Sequence, residues 1–169
     1  MGADLDALVR QVVERLQNVP TGTVQNPAGP GRILTLAMAK KLAAYLEGEA
    51  AAMGVRAVVS VADEGGNPIL TERMDGAYLA SVDIAQNKAY TAVALQMSTA
   101  ALAPLAAPGG SLYGIQFTNA GRIVIFGGGD PLQAGGKIVG GLGVSGGSAE
   151  QDTELSARGK AYFEKLFGA

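Results

Sequence analysis

The chain of 169 residues contains no cysteine, no histidine and no tryptophan. Without cysteine it can form neither a disulfide nor a thiolate metal site. Without histidine it can form neither a histidine-containing catalytic triad nor a metal site that depends on imidazole. Acid–base chemistry is therefore left to Asp, Glu, Lys and Tyr side chains, and we expect no resident metal ion.

The chain also lacks a large excess of charge of either sign, and it lacks long apolar runs. The chain has 13 basic and 15 acidic residues, a formal net charge of −2, and no basic stripe that would neutralise a nucleic-acid backbone. No apolar run is long enough to span a bilayer, and Asp4 and Asp6 stand where a signal peptide would carry positive charge. We expect a cytoplasmic protein whose partners are neither nucleic acid nor membrane.

Residues 1–18 have the apolar periodicity of a helix. The apolar side chains fall on one stripe: Leu5, Leu8, Val9, Val12, Val13 and Leu16. A helix of this length is marginal alone in water, so the stripe must pack on another surface. Residues 19–32 are rich in Pro and Gly and predict a flexible linker. The helix either folds back on its own domain or docks on another protein, and the long linker favours docking.

A single domain is predicted over residues 33–169. Thr35, Ser98 and Ser148 are predicted helix N-caps, the last within a capping box with Gln151. The predicted elements are helices near 35–53, 78–96, 98–106 and from 148, and strands at 57–63, 68–74, 123–126, 131–133 and 137–144. Hairpin connections dominate, so the pattern predicts an α/β protein of the α+β type with helices packed on an antiparallel sheet.

Glycine is concentrated in PGGSLYGIQFTNAGRIVIFGGG, residues 108–129. Such a segment forms either tight turns or a wall that lets a ligand approach the backbone, and the turn interpretation is favoured. Glycines within 137–144 indicate a helix lying close against that strand.

Residues 141–146 match the G-x-G-x-x-G pattern of dinucleotide-binding proteins. The strand that must follow in such a unit has no place in this chain, so nicotinamide binding is not expected. Glu150 and Asp152 follow in the first turn of the last helix. They either cap that helix or act in acid–base chemistry. On the helix at 78–96, Lys88 either extends over apolar surface to water or contacts a ligand.

The stretches AVVSVADEGGNPILTERMDGA, SVDIAQNKAYTAVAL, PGGSLYGIQFTNAGRIVIFGGG and KIVGGLGVSGGSAEQD resemble the GlcG/HbpS family. The resemblance is strongest to the C-terminal domain of PduO-type proteins. It implies a profilin-like fold with a five-stranded antiparallel sheet, and homo-oligomers from dimer to octamer. It also implies a role in haem binding, haem degradation or corrinoid metabolism. In the same way, LDALVRQVVERL resembles the encapsulation peptides of bacterial microcompartment cargo, which implies shell or cargo partners and a place in the microcompartment lumen.

The residues themselves and this resemblance together lead to a set of candidate site residues. The candidate cofactor-binding residues are Arg73, Asp75, Asn87, Lys88, Thr91, Gly109, Gly110 and Tyr113, and the candidate catalytic residues are Lys88, Glu150 and Asp152. Relatives use a His as axial haem ligand, and this chain has none. Iron ligation would therefore depend on Met74, Tyr78, Tyr113 or Lys88. Three hypotheses follow: a tetrapyrrole-binding accessory protein, an enzyme on a small polar metabolite, or a structural cargo protein.

Overall fold

The computed structural model describes residues 34–167; the predicted N-terminal helix and linker lie outside the described residues. The helices are α1 (Leu36–Ala52), α2 (Ala80–Ala94), α3 (Thr99–Ala106) and α4 (Ala149–Phe167). The strands are β1 (Val58–Asp63), β2 (Pro68–Arg73), β3 (Gly129–Ala134) and β4 (Lys137–Ser145). Two single-turn 3₁₀ helices, Ile115–Phe117 and Asn119–Gly121, lie between α3 and β3.

Within residues 34–167 the sheet has four strands in the order β2-β1-β4-β3, and every neighbouring pair is antiparallel. The α+β class is confirmed, but the five-stranded sheet is wrong for this part of the chain. The predicted strand at 123–126 joins no sheet. Val124 N–H donates to the Thr91 hydroxyl at 3.0 Å, and buried Ile123 packs with Leu102 and Ala106 of α3. Its apolar character therefore reflects packing on helices.

Helices cover both faces of the sheet. Helices α1 and α4 enclose the main core on one face, where Leu46, Leu142 and Phe163 are fully buried. Helix α2 lies on the other face, and the backbone of β4 comes very close to it. A side chain at Gly141 or Gly143 would collide with α2 carbonyl oxygens. The predicted close approach of a helix to this strand is confirmed.

The helix N-caps in the structure are the ones that the sequence predicts. Thr35 and Ser98 each accept a hydrogen bond from a backbone N–H three residues on. In the capping box, Gln151 N–H donates to the Ser148 hydroxyl and Ser148 N–H donates to Gln151 Oε1. These predictions are confirmed, because each depends only on residues of one turn. Among the described residues, no helix is long and apolar enough to cross a membrane.

Candidate functional site

Lys88 forms an ion pair in the interior of the protein. Its side chain is fully buried, and its Nζ lies 2.7 Å from Asp152 Oδ2 and 2.8 Å from the carbonyl oxygen of Val144, to both of which it donates. The Phe126 ring centroid lies 4.9 Å from the same nitrogen. The prediction that Lys88 extends to water is therefore wrong. The pair instead joins α2 to α4, which cover opposite faces of the sheet.

The glycine run 127–129 makes room for this ion pair. Gly128 has φ +109°, and a Cβ there would lie 2.7 Å from Lys88 Nζ and 2.6 Å from the Val144 carbonyl oxygen. A Cβ at Gly129 would lie 2.7 Å from the Lys88 carbonyl oxygen, and one at Gly127 would collide with the Thr153 hydroxyl. The run passes between α2 and α4 with no space for side chains. The atoms that these three glycines admit close to the backbone are those of the neighbouring protein.

The two acidic candidates of α4 face different surroundings. Asp152 is buried, and its second oxygen accepts the Gly147 N–H at 2.9 Å. Glu150 is exposed, and hydrogen bonds from Ser148 and from its own backbone N–H lower the pKa of its carboxyl. Residues two apart on a helix point to different sides. Only Asp152 can therefore reach Lys88.

Burial lowers the pKa of Lys88, while the hydrogen bond and charge of Asp152 act in the opposite direction. Both charges are thus balanced inside the protein. A substrate could touch Nζ only if Phe126 or the glycine run moved aside. The proton-transfer role predicted for Lys88 with Glu150 or Asp152 would require such a movement.

The candidate cofactor-binding residues lie in separate places. Asn87 donates to Asp83 at 3.0 Å on the surface of α2, and buried Thr91 donates to the Asn87 carbonyl oxygen at 2.7 Å. Gly109, Gly110 and Tyr113 belong to the loop after α3. The structure therefore brings together Lys88 with Asp152, but it does not gather the candidate set around one point.

Arg73 and Asp75 line an open depression of about 670 Å³, and Met74 and Arg56 line it as well. A second depression of about 310 Å³ shares Gly54, Val55 and Arg56 with the first, and it is lined further by Tyr78, Gly146 and Gln151 among others. We call the two adjoining depressions the Arg56 cleft. The cleft forms where β1 begins and where β2 and β4 end, because antiparallel neighbours bring these ends to the same edge.

The cleft combines cationic, aromatic and acidic side chains. The Arg73 guanidinium donates to the Ala77 carbonyl oxygen from Nε at 3.1 Å and from Nη2 at 2.6 Å, which fixes its position. Tyr78 is 72% exposed. Burial and the neighbouring Glu72 raise the pKa of Glu47, which lines the larger depression. Across residues 34–167, no group of three or more acidic side chains could hold a metal ion.

Sequence reasoning missed Arg56 and placed no cleft. The signal was present in the hairpin: Val58 pairs with Arg73, so the residues preceding β1 lie beside those following β2. A register drawn from the predicted strands would have put Arg56 near Asp75. Gly76 marks the same proximity, because a Cβ at this residue would collide with the Arg56 guanidinium.

Comparison with known proteins finds a matching family and several similar proteins. The model of the family described as haem degrading protein HbpS-like matches residues 34–161. An uncharacterised 15.0 kDa protein of the dhaT-dhaS intergenic region of Citrobacter freundii is 49% identical over 79% of this chain and 94% of its own length. The corrinoid adenosyltransferase PduO of the same species is 36% identical over 88% of this chain, which spans 44% of that protein.

Two solved structures are similar as well. Klebsiella pneumoniae ORFY has a TM-score of 0.76 at 44% identity, covering 78% of this chain and 90% of ORFY. A structure described as a PduOC:heme complex has a TM-score of 0.73 at 38% identity, covering 76% of this chain and 93% of that one.

Proposed function

Because the chain belongs to the HbpS-like family, we propose that it binds a tetrapyrrole, either haem or a corrinoid, in the Arg56 cleft. The observation that carries this proposal is the cleft itself: an open depression of about 670 Å³ joined to one of about 310 Å³, bordered by two arginines and an exposed tyrosine. Cavities of this size class hold small-molecule cofactors. The relative described as a haem complex supports the choice of ligand to test.

The residues of the cleft fit a haem. Arg56 and Arg73 offer guanidinium groups that suit the carboxylates of the ring. The cleft offers a tyrosine oxygen at Tyr78 and a methionine sulfur at Met74 as iron donors. Met74 Sδ already accepts the Ala57 N–H at 3.3 Å, so Tyr78 is the better candidate. Bound haem would supply one-electron and oxygen chemistry, and the chain would hold and orient it.

The proposal is tested by titrating the full chain with haemin, and separately with hydroxocobalamin, while the absorbance spectrum is followed. We expect a saturable Soret shift with haemin that Tyr78→Phe alters, and an affinity that Arg56→Gln weakens by about tenfold. Tyr113→Phe is the matched control, since this tyrosine is 66% exposed outside the cleft.

Two results would contradict this assignment. A spectrum unchanged by either compound would end the tetrapyrrole proposal. A shift altered by Tyr113→Phe but not by Tyr78→Phe would move the site to the glycine-rich loop with Gly109 and Gly110.

We further propose that the protein is a homo-oligomer that accompanies a bacterial microcompartment. The apolar stripe of residues 5–16 and its Pro/Gly-rich linker support an encapsulation role, and the similarity to PduO is consistent with it. Shell or cargo proteins would be the partners of that stripe.

A further inference from the structure

Arg56 is the arginine that the described part of the chain leaves without a partner. There Arg73 donates to the Ala77 carbonyl oxygen, Arg158 pairs with two glutamates, and Arg122 lies over a tyrosine ring. The Arg56 guanidinium makes no hydrogen bond, ion pair or ring contact with the described residues, and Arg56 lines both depressions of the Arg56 cleft. A ligand carboxylate can therefore pair with this guanidinium without first breaking a hydrogen bond within the protein.

Hydrogen bonds on both sides hold the backbone of Arg56. On one side, Val55 N–H donates to the Ala50 carbonyl oxygen of α1 at 2.8 Å. On the other side, Ala57 precedes β1 and Met74 follows β2, and these two residues exchange two hydrogen bonds. Met74 N–H donates to the Ala57 carbonyl oxygen at 3.0 Å, and Ala57 N–H donates to Met74 Sδ at 3.3 Å. The position of the guanidinium is therefore decided by the Arg56 side chain.

The glycine of the turn after β2 lies against that side chain. The turn is held by Ala77 N–H, which donates to the Met74 carbonyl oxygen at 3.0 Å, and by Arg73, which donates to the Ala77 carbonyl oxygen. A Cβ at Gly76 would collide with Arg56 Nη1 and would lie 3.1 Å from its Cδ and 3.3 Å from its Cζ. The guanidinium thus lies in space that only a glycine leaves open.

Two separate properties of Gly76 have to be distinguished. Its φ of +78° is accounted for by the turn, in which glycine is the ordinary residue. The contact with Arg56 is a second property, and it involves the end of a flexible side chain. An alanine at this position would therefore displace the guanidinium rather than the backbone. Gly121 has nearly the same φ, +77°, but nothing lies within 4 Å of where its Cβ would be.

We propose that Gly76 is a positioning residue, which holds the Arg56 guanidinium where it meets a carboxylate of the ligand. This inference rests on the ligand binding proposed for the Arg56 cleft and adds the residue that presents its unpaired cation. A guanidinium already in place loses less side-chain entropy when the ligand binds, so its position contributes to affinity.

The test is titration of the full chain with haemin, followed by absorbance, for the wild type, Gly76→Ala, Arg56→Gln and the double variant. We expect Gly76→Ala to weaken binding about fivefold, which is part of the loss expected from Arg56→Gln. In the Arg56→Gln background Gly76→Ala should have no further effect, because the guanidinium that it displaces is then absent.

Gly121→Ala is the matched control, since it strains the backbone to the same degree without a collision. It should leave the haemin affinity unchanged. Thermal melts followed by circular dichroism should show similar losses of stability for Gly76→Ala and Gly121→Ala, and they establish that both variants fold.

A second measurement does not need the cofactor. Phenylglyoxal reacts with guanidinium groups, and mass spectrometry of the peptides gives the rate at each arginine. We expect Gly76→Ala to raise the rate at Arg56 severalfold, because the displaced guanidinium leaves the turn for solvent. Arg158, which pairs with Glu49 and Glu154, is the internal reference. Gly121→Ala should change neither rate.

The outcomes separate two failures. A wild-type chain whose spectrum does not change with haemin overturns the cofactor assignment, and the phenylglyoxal rates then decide whether Gly76 positions Arg56. An Arg56 rate that Gly76→Ala leaves unchanged overturns the positioning role. Equal weakening of haemin binding by Gly76→Ala with and without Arg56 also overturns it, since the loss would then not pass through the guanidinium.

Discussion

At the scale of single residues, the protein keeps a lysine charge in its interior by pairing it fully. Lys88 Nζ has Asp152 and the Val144 carbonyl oxygen as acceptors, and Asp152 has a second donor in the Gly147 N–H. A buried ion pair is costly to desolvate, so its net contribution to folding is small. Removing one partner of the pair is strongly destabilising, because the other partner then remains as an unpaired charge in the interior.

We expect Lys88→Met and Asp152→Asn each to lower the free energy of unfolding by about 3–5 kcal/mol. The double variant should lose much less than the sum, since no charge then remains unpaired. Urea unfolding followed by far-ultraviolet circular dichroism measures all three. Strictly additive losses would show that the two side chains do not act as a pair.

The sequence grouped Lys88 with Glu150 and Asp152 as acid–base candidates but could not choose between the two carboxylates. Helix geometry decides, because positions 150 and 152 point to different sides of α4. The sequence also could not show that Lys88 is buried. Its nearest partners are 56 and 64 residues away along the chain, beyond any local pattern.

At the scale of elements, the glycine run 127–129, which leads into β3, lets α2 and α4 come close to each other. Gly128 needs both a positive φ and the absence of a side chain, because Lys88, Val144 and Asp152 surround its Cα. Gly109 also has a positive φ, of +85°, yet nothing lies within 4 Å of where its Cβ would be. Comparing substitutions at these two glycines therefore separates the cost of a strained backbone from the cost of a steric collision.

Gly128→Ala should destabilise the fold by about 3 kcal/mol or more, because strain and overpacking combine. Gly109→Ala should cost about 1 kcal/mol, from strain alone. Thermal and urea unfolding of the two variants give the comparison. Similar losses for both would mean that the backbone at 128 shifts to accept a side chain.

At the scale of the whole molecule, the described part of the chain builds its own core. Among residues 34–167, α1, α4 and the sheet enclose most of the buried apolar side chains. The Arg56 cleft lies at one end of the sheet, where β1 begins and β2 and β4 end. Ligand binding and targeting by residues 1–18 are thus proposed on separate parts of the chain.

Deletion of residues 1–31 should shift the melting temperature by only a few degrees, because residues 34–167 contain a core of their own in which Leu46, Leu142 and Phe163 are fully buried. It should abolish co-localisation with microcompartment shells, and in the full chain Val12→Glu should do the same while Arg10→Glu on the polar side should not. Co-purification with shells measures this. Unfolding on deletion would show that the segment packs on the domain.

The sequence by itself determined the helices, their caps, the β1–β2 hairpin and the α+β class, because these depend on contacts within a few residues. The tertiary structure decided what the apolar segment at 123–126 packs against, which carboxylate meets Lys88, and that Arg56 and Tyr78 share a cleft. Each of these depends on which elements become neighbours. That choice is made by packing between layers distant in sequence, where periodicity carries no information.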